Sequence, residues 1–143
     1  MKIITFAAIK GGVGKTTLAF NFGDWLAKKG HRVLFLDLDH QCNLTQTYNI
    51  YQSEKTIANA FTGGEVEIKS VKDNISLIPG SVQLDAVERT LENNDKKNML
   101  LYLWMEDNYE KKQLEQFDYI LIDCRPDFAT ATKNAVAVSH AII

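Results

Sequence analysis

Lys10 to Thr17 reads KGGVGKTT, with glycines at 11, 12 and 14, lysines at 10 and 15, and threonines at 16 and 17. Such a run suits one chemistry above others. Gly11, Gly12 and Gly14 let the backbone curl so that successive N–H groups point inward at phosphate oxygens, and a helix starting there adds its positive end. Val13 lies inside the same loop. The spacing puts Lys15 within reach of β- and γ-phosphates, Thr16 as a hydroxyl ligand for Mg²⁺, and Thr17 against an α-phosphate oxygen. One position departs from the usual phosphate-loop pattern, which has glycine five residues before Gly14 where this chain has Ile9. Lys10 is surplus to a single phosphate site.

Three carboxylates accompany the loop. Asp37 and Asp39 close the apolar run VLFLDLD, and strand periodicity puts both on one face if the strand extends that far. Asp123 ends DYILID, where a carboxylate at a strand terminus holds Mg²⁺ directly or through water. His40 is either a solvated loop histidine or a group that tunes a neighbouring carboxylate. Cys42 and Cys124 are far apart in sequence and form no ligand-spaced cluster, which suits a reducing compartment.

Positioning these groups requires alternating strands and helices. Ile3 to Ala8, Val33 to Asp39, Ile75 to Gly80, Asp118 to Asp123 and His140 to Ile143 read as strands. Gly14 to Lys29 reads as a helix with Leu18, Phe22, Trp25 and Leu26 on its apolar stripe, ended by KKGHR. Val82 to Leu91 and Met99 to Leu114 read as two further helices broken at ENNDKKN, with Trp104 in the core. Continuous apolar strands separated by helices predict an α/β fold, a three-layer, doubly wound, mostly parallel sheet. The carboxyl ends of such strands collect ligands.

With 143 residues, 45% hydrophobic positions and a net charge of −2, the chain suffices for one domain with a sizeable core. The start has no secretory h-region and no apolar run reaches membrane-spanning length, so a cytoplasmic protein is expected. The sequence pI near 5.9 offers no basic footprint for nucleic acid. The chain ends on an apolar strand, from which an N-terminal fragment of a larger fold is expected.

KGGVGKTT resembles the deviant Walker A motif of the ParA/MinD family of P-loop ATPases, and DLDHQCNLT and FDYILIDCRPDF resemble that family's two acidic segments. ISLIPGSVQLDAVERTLEN and NAVAVSHAII are similar to its later segments, so the likeness spans the chain. The resemblance implies a P-loop NTPase domain over residues 1–143 that lacks the C-terminal part of the family fold. It implies MgATP as ligand, with Lys10, Lys15 and Asp39 as candidate catalytic residues and Lys10 reaching the partner's phosphates in an ATP-dependent homodimer. It implies Asp39 for water activation, Asp37 for the metal's outer shell, and Thr16 and Asp123 as further metal-site residues. The chain departs from the family pattern at His40 (usually proline), Cys42 (usually glycine), and Arg125 and Asp127, which replace a proline and a small residue. Asp127 is expected to bring negative charge toward the triphosphate, with Arg125 compensating it.

The match favours the ParA/Soj branch, whose full-length members bind non-specific DNA and a centromere-binding protein in plasmid or chromosome partitioning. A MinD-like membrane-positioning ATPase is the alternative within the family, and no membrane binding is expected. A nucleotide-binding switch with little or no hydrolysis is a further alternative, raised by Arg125 and Asp127, and an iron–sulfur redox protein using Cys42 and Cys124 lies further off. For this chain alone, weak DNA binding is expected from its charge.

Overall fold

The computed structural model describes all residues, 1–143. In chain order the elements are β1 (Lys2–Phe6), α1 (Lys15–Lys28), β2 (Val33–Leu38), α2 (Asn43–Thr47), α3 (Ala58–Thr62), β3 (Lys69–Lys72), β4 (Ile75–Ile78), α4 (Leu84–Thr90), α5 (Leu100–Asn108), β5 (Tyr119–Cys124), α6 (Thr130–Val138) and β6 (Ala141–Ile142). They build one six-stranded sheet in the order β3-β4-β2-β5-β1-β6. All neighbours are parallel except β3, which runs antiparallel to β4 through an irregularity between Ser70 and Lys72.

Strand alternation assigns each apolar side chain to one of two cores. Leu34, Leu36 and Leu38 of β2 and Ile120, Ile122 and Cys124 of β5 join the larger core with α3, α5 and α6. Val33 and Phe35 of β2, Leu121 of β5 and Phe6 of β1 face α1. Asp37 and Asp123 continue the second series, so both carboxylates fall on the α1 side. Two covered faces explain why β2 and β5 run apolar on both faces up to these carboxylates, as the sequence suggests.

The remaining differences from expectation are local. β3 escapes the sequence reading because KSVK alternates half-buried and exposed residues at a sheet edge. The helix expected over Met99 to Leu114 stops at Asn108, and Gln113 at φ 52° leads into a separate 3₁₀ turn, Leu114–Gln116. On α1 the buried face is Ala19, Gly23, Leu26 and Ala27, whereas Leu18 and Trp25 are about half exposed. The approach is closest at Gly23, where a Cβ would run into the Phe35 ring, and the buried face centres there. Trp104 and Leu101 are buried as expected, while Met99 and Tyr102 are exposed.

Candidate nucleotide-phosphate site

The site forms where β1, β5 and β2 end side by side. Phe6 pairs in register with Asp123, and Asp123 with Asp37. The chain leaves β1, curls through residues 7–14 and enters α1. Gly12 and Gly14 adopt φ of 73° and 83°, where a side chain is strained. No side chain caps the N-terminus of α1 and its first turn holds no acidic residue, so its free N–H groups and dipole face the loop's concavity. A cavity of about 330 Å³ opens there, lined by Lys10 through Thr17 with Asp39, Gln41, Asn43 and Pro126. The loops after β1 and β5 adjoin: a Cβ on Gly11 would meet Pro126 Cγ at 3.6 Å.

Asp123 anchors the phosphate loop. Lys15 Nζ donates to Asp123 Oδ1 at 2.8 Å, and Thr16 Oγ1 donates to Oδ2 at 2.7 Å. Burial raises the carboxyl's pKa above the ordinary range, with Lys15 and the Thr16 hydroxyl opposing it. The groups expected to hold phosphate and metal therefore already touch one another. Hydroxyl and carboxylate oxygens are the hard donors Mg²⁺ takes, and Mg²⁺ keeps several waters, so two protein oxygens suffice.

Asp37 is fully buried and is absent from the cavity wall. Its Oδ1 accepts the Asp39 N–H at 3.1 Å, and its Oδ2 accepts the Thr45 N–H at 2.9 Å and hydroxyl at 2.6 Å. Thr45 Oγ1 in turn accepts the Gly80 N–H at 2.8 Å. Asp37 thus ties β2, α2 and the end of β4 together. Burial pushes its pKa up to about 6 against these hydrogen bonds. The strand ends at Leu38, and Asp39 reaches the cavity from the loop, its Oδ1 accepting the Gln41 N–H at 2.9 Å.

The departures from the family pattern find distinct solutions. Cys42 keeps the left-handed conformation that glycine usually supplies, at φ 56° and ψ 33°. Its thiol and that of Cys124 are buried, and burial pushes both up to about 12. Asp127 does not line the cavity: its Oδ1 accepts the Ala129 N–H at 3.0 Å in a turn leading into α6, and Oδ2 pairs with Arg125. The Asp127 carboxylate, expected to bring charge toward the triphosphate, is taken up in this structure by that turn and by Arg125, the residue expected to compensate it. Lys10 is exposed at the cavity rim without an ion-pair partner. Thr45, Asp85 and Glu88 escape sequence reading as site-organising residues; Thr45 follows the NL of a resembling segment, but nothing in sequence pairs it with Asp37.

The profile described as AAA domain matches residues 1–143. The chain belongs to that family. Within the AAA domain family it is ParA/Soj-like: it is 33% identical over 152 residues to the sporulation initiation inhibitor protein Soj of Bacillus subtilis strain 168, covering 99% of this chain and 56% of Soj. A putative plasmid partition protein from Borrelia burgdorferi B31 bound to AMPPNP shares the fold at TM-score 0.87 and 30% identity, over 99% of this chain and 60% of that one. Cobyrinic acid a,c-diamide synthase from Mycobacterium smegmatis, with bound ATP analogue and magnesium, matches at TM-score 0.87 and 26% identity over 99% and 58%. These likenesses give the AAA domain chain a P-loop NTPase fold. It spans about half the length of the curated relatives it matches. None of its helices is long and apolar enough to cross a membrane.

Proposed function

We propose that this chain is the nucleotide-binding part of a ParA/Soj-like ATPase that binds MgATP as a sandwich dimer and hydrolyses it to drive plasmid or chromosome partitioning. The observation that carries this is the meeting of Lys10, Lys15, Thr16 and Asp39 around one cavity. Gly11 to Gly14 and the start of α1 bind and orient the triphosphate through backbone N–H groups. Lys15 exchanges its hold on Asp123 for the phosphates, and Thr17 adds a hydroxyl. Thr16 and Asp123 would hold Mg²⁺, which when bound offsets phosphate charge; Asp37 supports them from beneath by fixing the loop. Asp39 orients the attacking water and accepts a hydrogen bond from it.

Lys10 has no task in its own subunit, and its exposed ammonium suits the phosphates of a second copy. At about 4 Å and an effective dielectric near 20, one such contact is worth roughly 4 kcal/mol before desolvation. Hydrolysis then depends on dimerisation, as with an arginine finger supplied in trans. Non-specific DNA and a centromere-binding protein are the partners proposed for the full-length polypeptide. The test is ATP turnover with Mg²⁺ by full-length wild type and Lys10→Ala across protein concentration. Specific activity should rise with concentration in the wild type and collapse in the variant while single-site ATP binding survives. A variant that turns over like the wild type removes the reading.

A further inference from the structure

His40 and Arg125 are two of the chain's departures from the family pattern, 85 residues apart in sequence, and they meet on the same side chain. Arg125, only 8% exposed, pairs through its guanidinium with Asp85 of α4, with Glu88 of α4 at 2.7 Å and with Asp127. Three carboxylates thus surround one cation. The other oxygen of Asp85, Oδ2, faces His40, whose Nε2 stands 3.7 Å from it, close but longer than a hydrogen bond. On the opposite edge of the same imidazole, Nδ1 lies 3.6 Å from Asp39 Oδ1, buried and without a hydrogen-bond partner of its own. The ring is therefore wedged between Asp39, which lines the phosphate cavity, and Asp85, which the loop after β5 holds through Arg125.

The far end of this chain of contacts is anchored in the fold, and the near end meets Asp39 at the oxygen that holds its own loop. Glu88 Oε1 accepts the Ala131 N–H at 2.5 Å, locking α4 to the start of α6, and Asp39 Oδ1 accepts the Gln41 N–H. We propose that His40, Asp85 and Arg125 form a brace that joins the loop after β2 to the loop after β5 and sets the position of the Asp39 carboxylate at the cavity. They act as positioning residues. Proline at 40 or at 125 has no side chain able to make these contacts, so the two departures form one compensated device. A pair of independent surface changes would leave Asp85 with one partner. The same guanidinium that holds Asp85 also pairs with Asp127.

The consequence for turnover rests on the proposed role of Asp39 in orienting water; the brace itself does not. Two readouts on the full-length protein separate them. Amide hydrogen exchange at Gln41, whose N–H the Asp39 carboxylate accepts, reports Asp39 position without any need for hydrolysis, and exchange at Asp127 to Ala129 reports the other loop. In Asp85→Asn, a partly exposed and nearly isosteric change, exchange should quicken at both sites by about threefold or more. Asp85→Glu should restore it, and His40→Ala should quicken exchange in residues 127–129, on the loop it does not belong to. With ATP, kcat should fall by about tenfold in Asp85→Asn with KM nearly unchanged, and adding His40→Ala should cost no more. Unaltered Gln41 exchange in Asp85→Asn overturns the brace. Coupled exchange with kcat unaltered overturns the catalytic use of Asp39 and leaves the brace standing; a wild type that does not hydrolyse ATP does the same.

Discussion

Lys15 Nζ lies 2.8 Å from Asp123 Oδ1, and the Asp123 side chain has no exposure to solvent. The pair pins the loop before α1 to the central strand, so loop shape and the carboxylate proposed for the metal site are set together. Lys15→Ala removes the only ammonium beside a buried carboxylate and should destabilise the ligand-free protein by about 3 kcal/mol near neutral pH. At acid pH Asp123 takes up a proton in the variant and the loss should shrink. Affinity for an ATP analogue should drop by at least about tenfold. Urea unfolding at neutral and acid pH, with calorimetric titration, measures all three; equal destabilisation at both pH values would show that the pair is not the cause.

Asp37 gives the fold a pH dependence of opposite sign to that of a surface-paired carboxylate. Its pKa is raised from the ordinary 3.8 to about 6, mainly by burial. Between those values the ligand-free fold keeps a proton that the unfolded chain has released. The resulting stability is fully present below the unfolded pKa and is lost as pH rises through about 6, amounting to roughly 3 kcal/mol. Burial raises the pKa of Asp123 and Glu88 as well, with the same sign. Urea midpoints of ligand-free wild type should therefore fall from about pH 4 to about pH 7 more steeply than those of Asp37→Asn. Parallel slopes for the two proteins would count against the assignment.

Gly23 makes the approach of α1 to β2 possible. An alanine there puts its Cβ into the Phe35 ring, and overpacking of this kind costs about 1–3 kcal/mol against a helix-propensity gain of at most about 1 kcal/mol. Gly23→Ala should lower stability, although the same change on an exposed helix face would raise it. In a Phe35→Leu background the cost should largely disappear. Chemical denaturation of the four proteins of this cycle tests the contact, and additivity would refute it.

What the sequence reveals depends on how local the physics is. The phosphate loop is legible because three glycines, Lys15 and Thr16 are adjacent in the chain and need only one strand before them and one helix after. Strands β2 and β5 are legible because burial on both faces leaves a nearly unbroken apolar run up to Asp37 and Asp123. Gly23 is read past, since a lone glycine in a helical pattern does not announce the ring it faces. The links from Asp37 to Thr45 and from Arg125 to Asp85 and Glu88 are long-range pairings of common polar residues, and no spacing rule announces them. Asp127 shows the same limit: its charge is evident in sequence, but its direction is decided by Arg125 and the turn into α6.

That direction has a measurable consequence. Asp127 Oδ1 accepts the Ala129 N–H at 3.0 Å, so a serine, whose hydroxyl makes the same kind of turn, can replace it. Asp127→Ser should change ATP-analogue affinity by less than about twofold, since Asp127 does not line the cavity and Arg125 keeps Asp85 and Glu88 as partners. Asp127→Ala loses the turn acceptor as well and should cost about 1 kcal/mol of stability, as removal of a helix-entry side chain does. Calorimetric titration and urea unfolding of both variants decide the matter. A large gain in affinity on removing the carboxylate would mean that Asp127 does face the phosphates when nucleotide is bound, and the loop after β5 would then have to rearrange on binding.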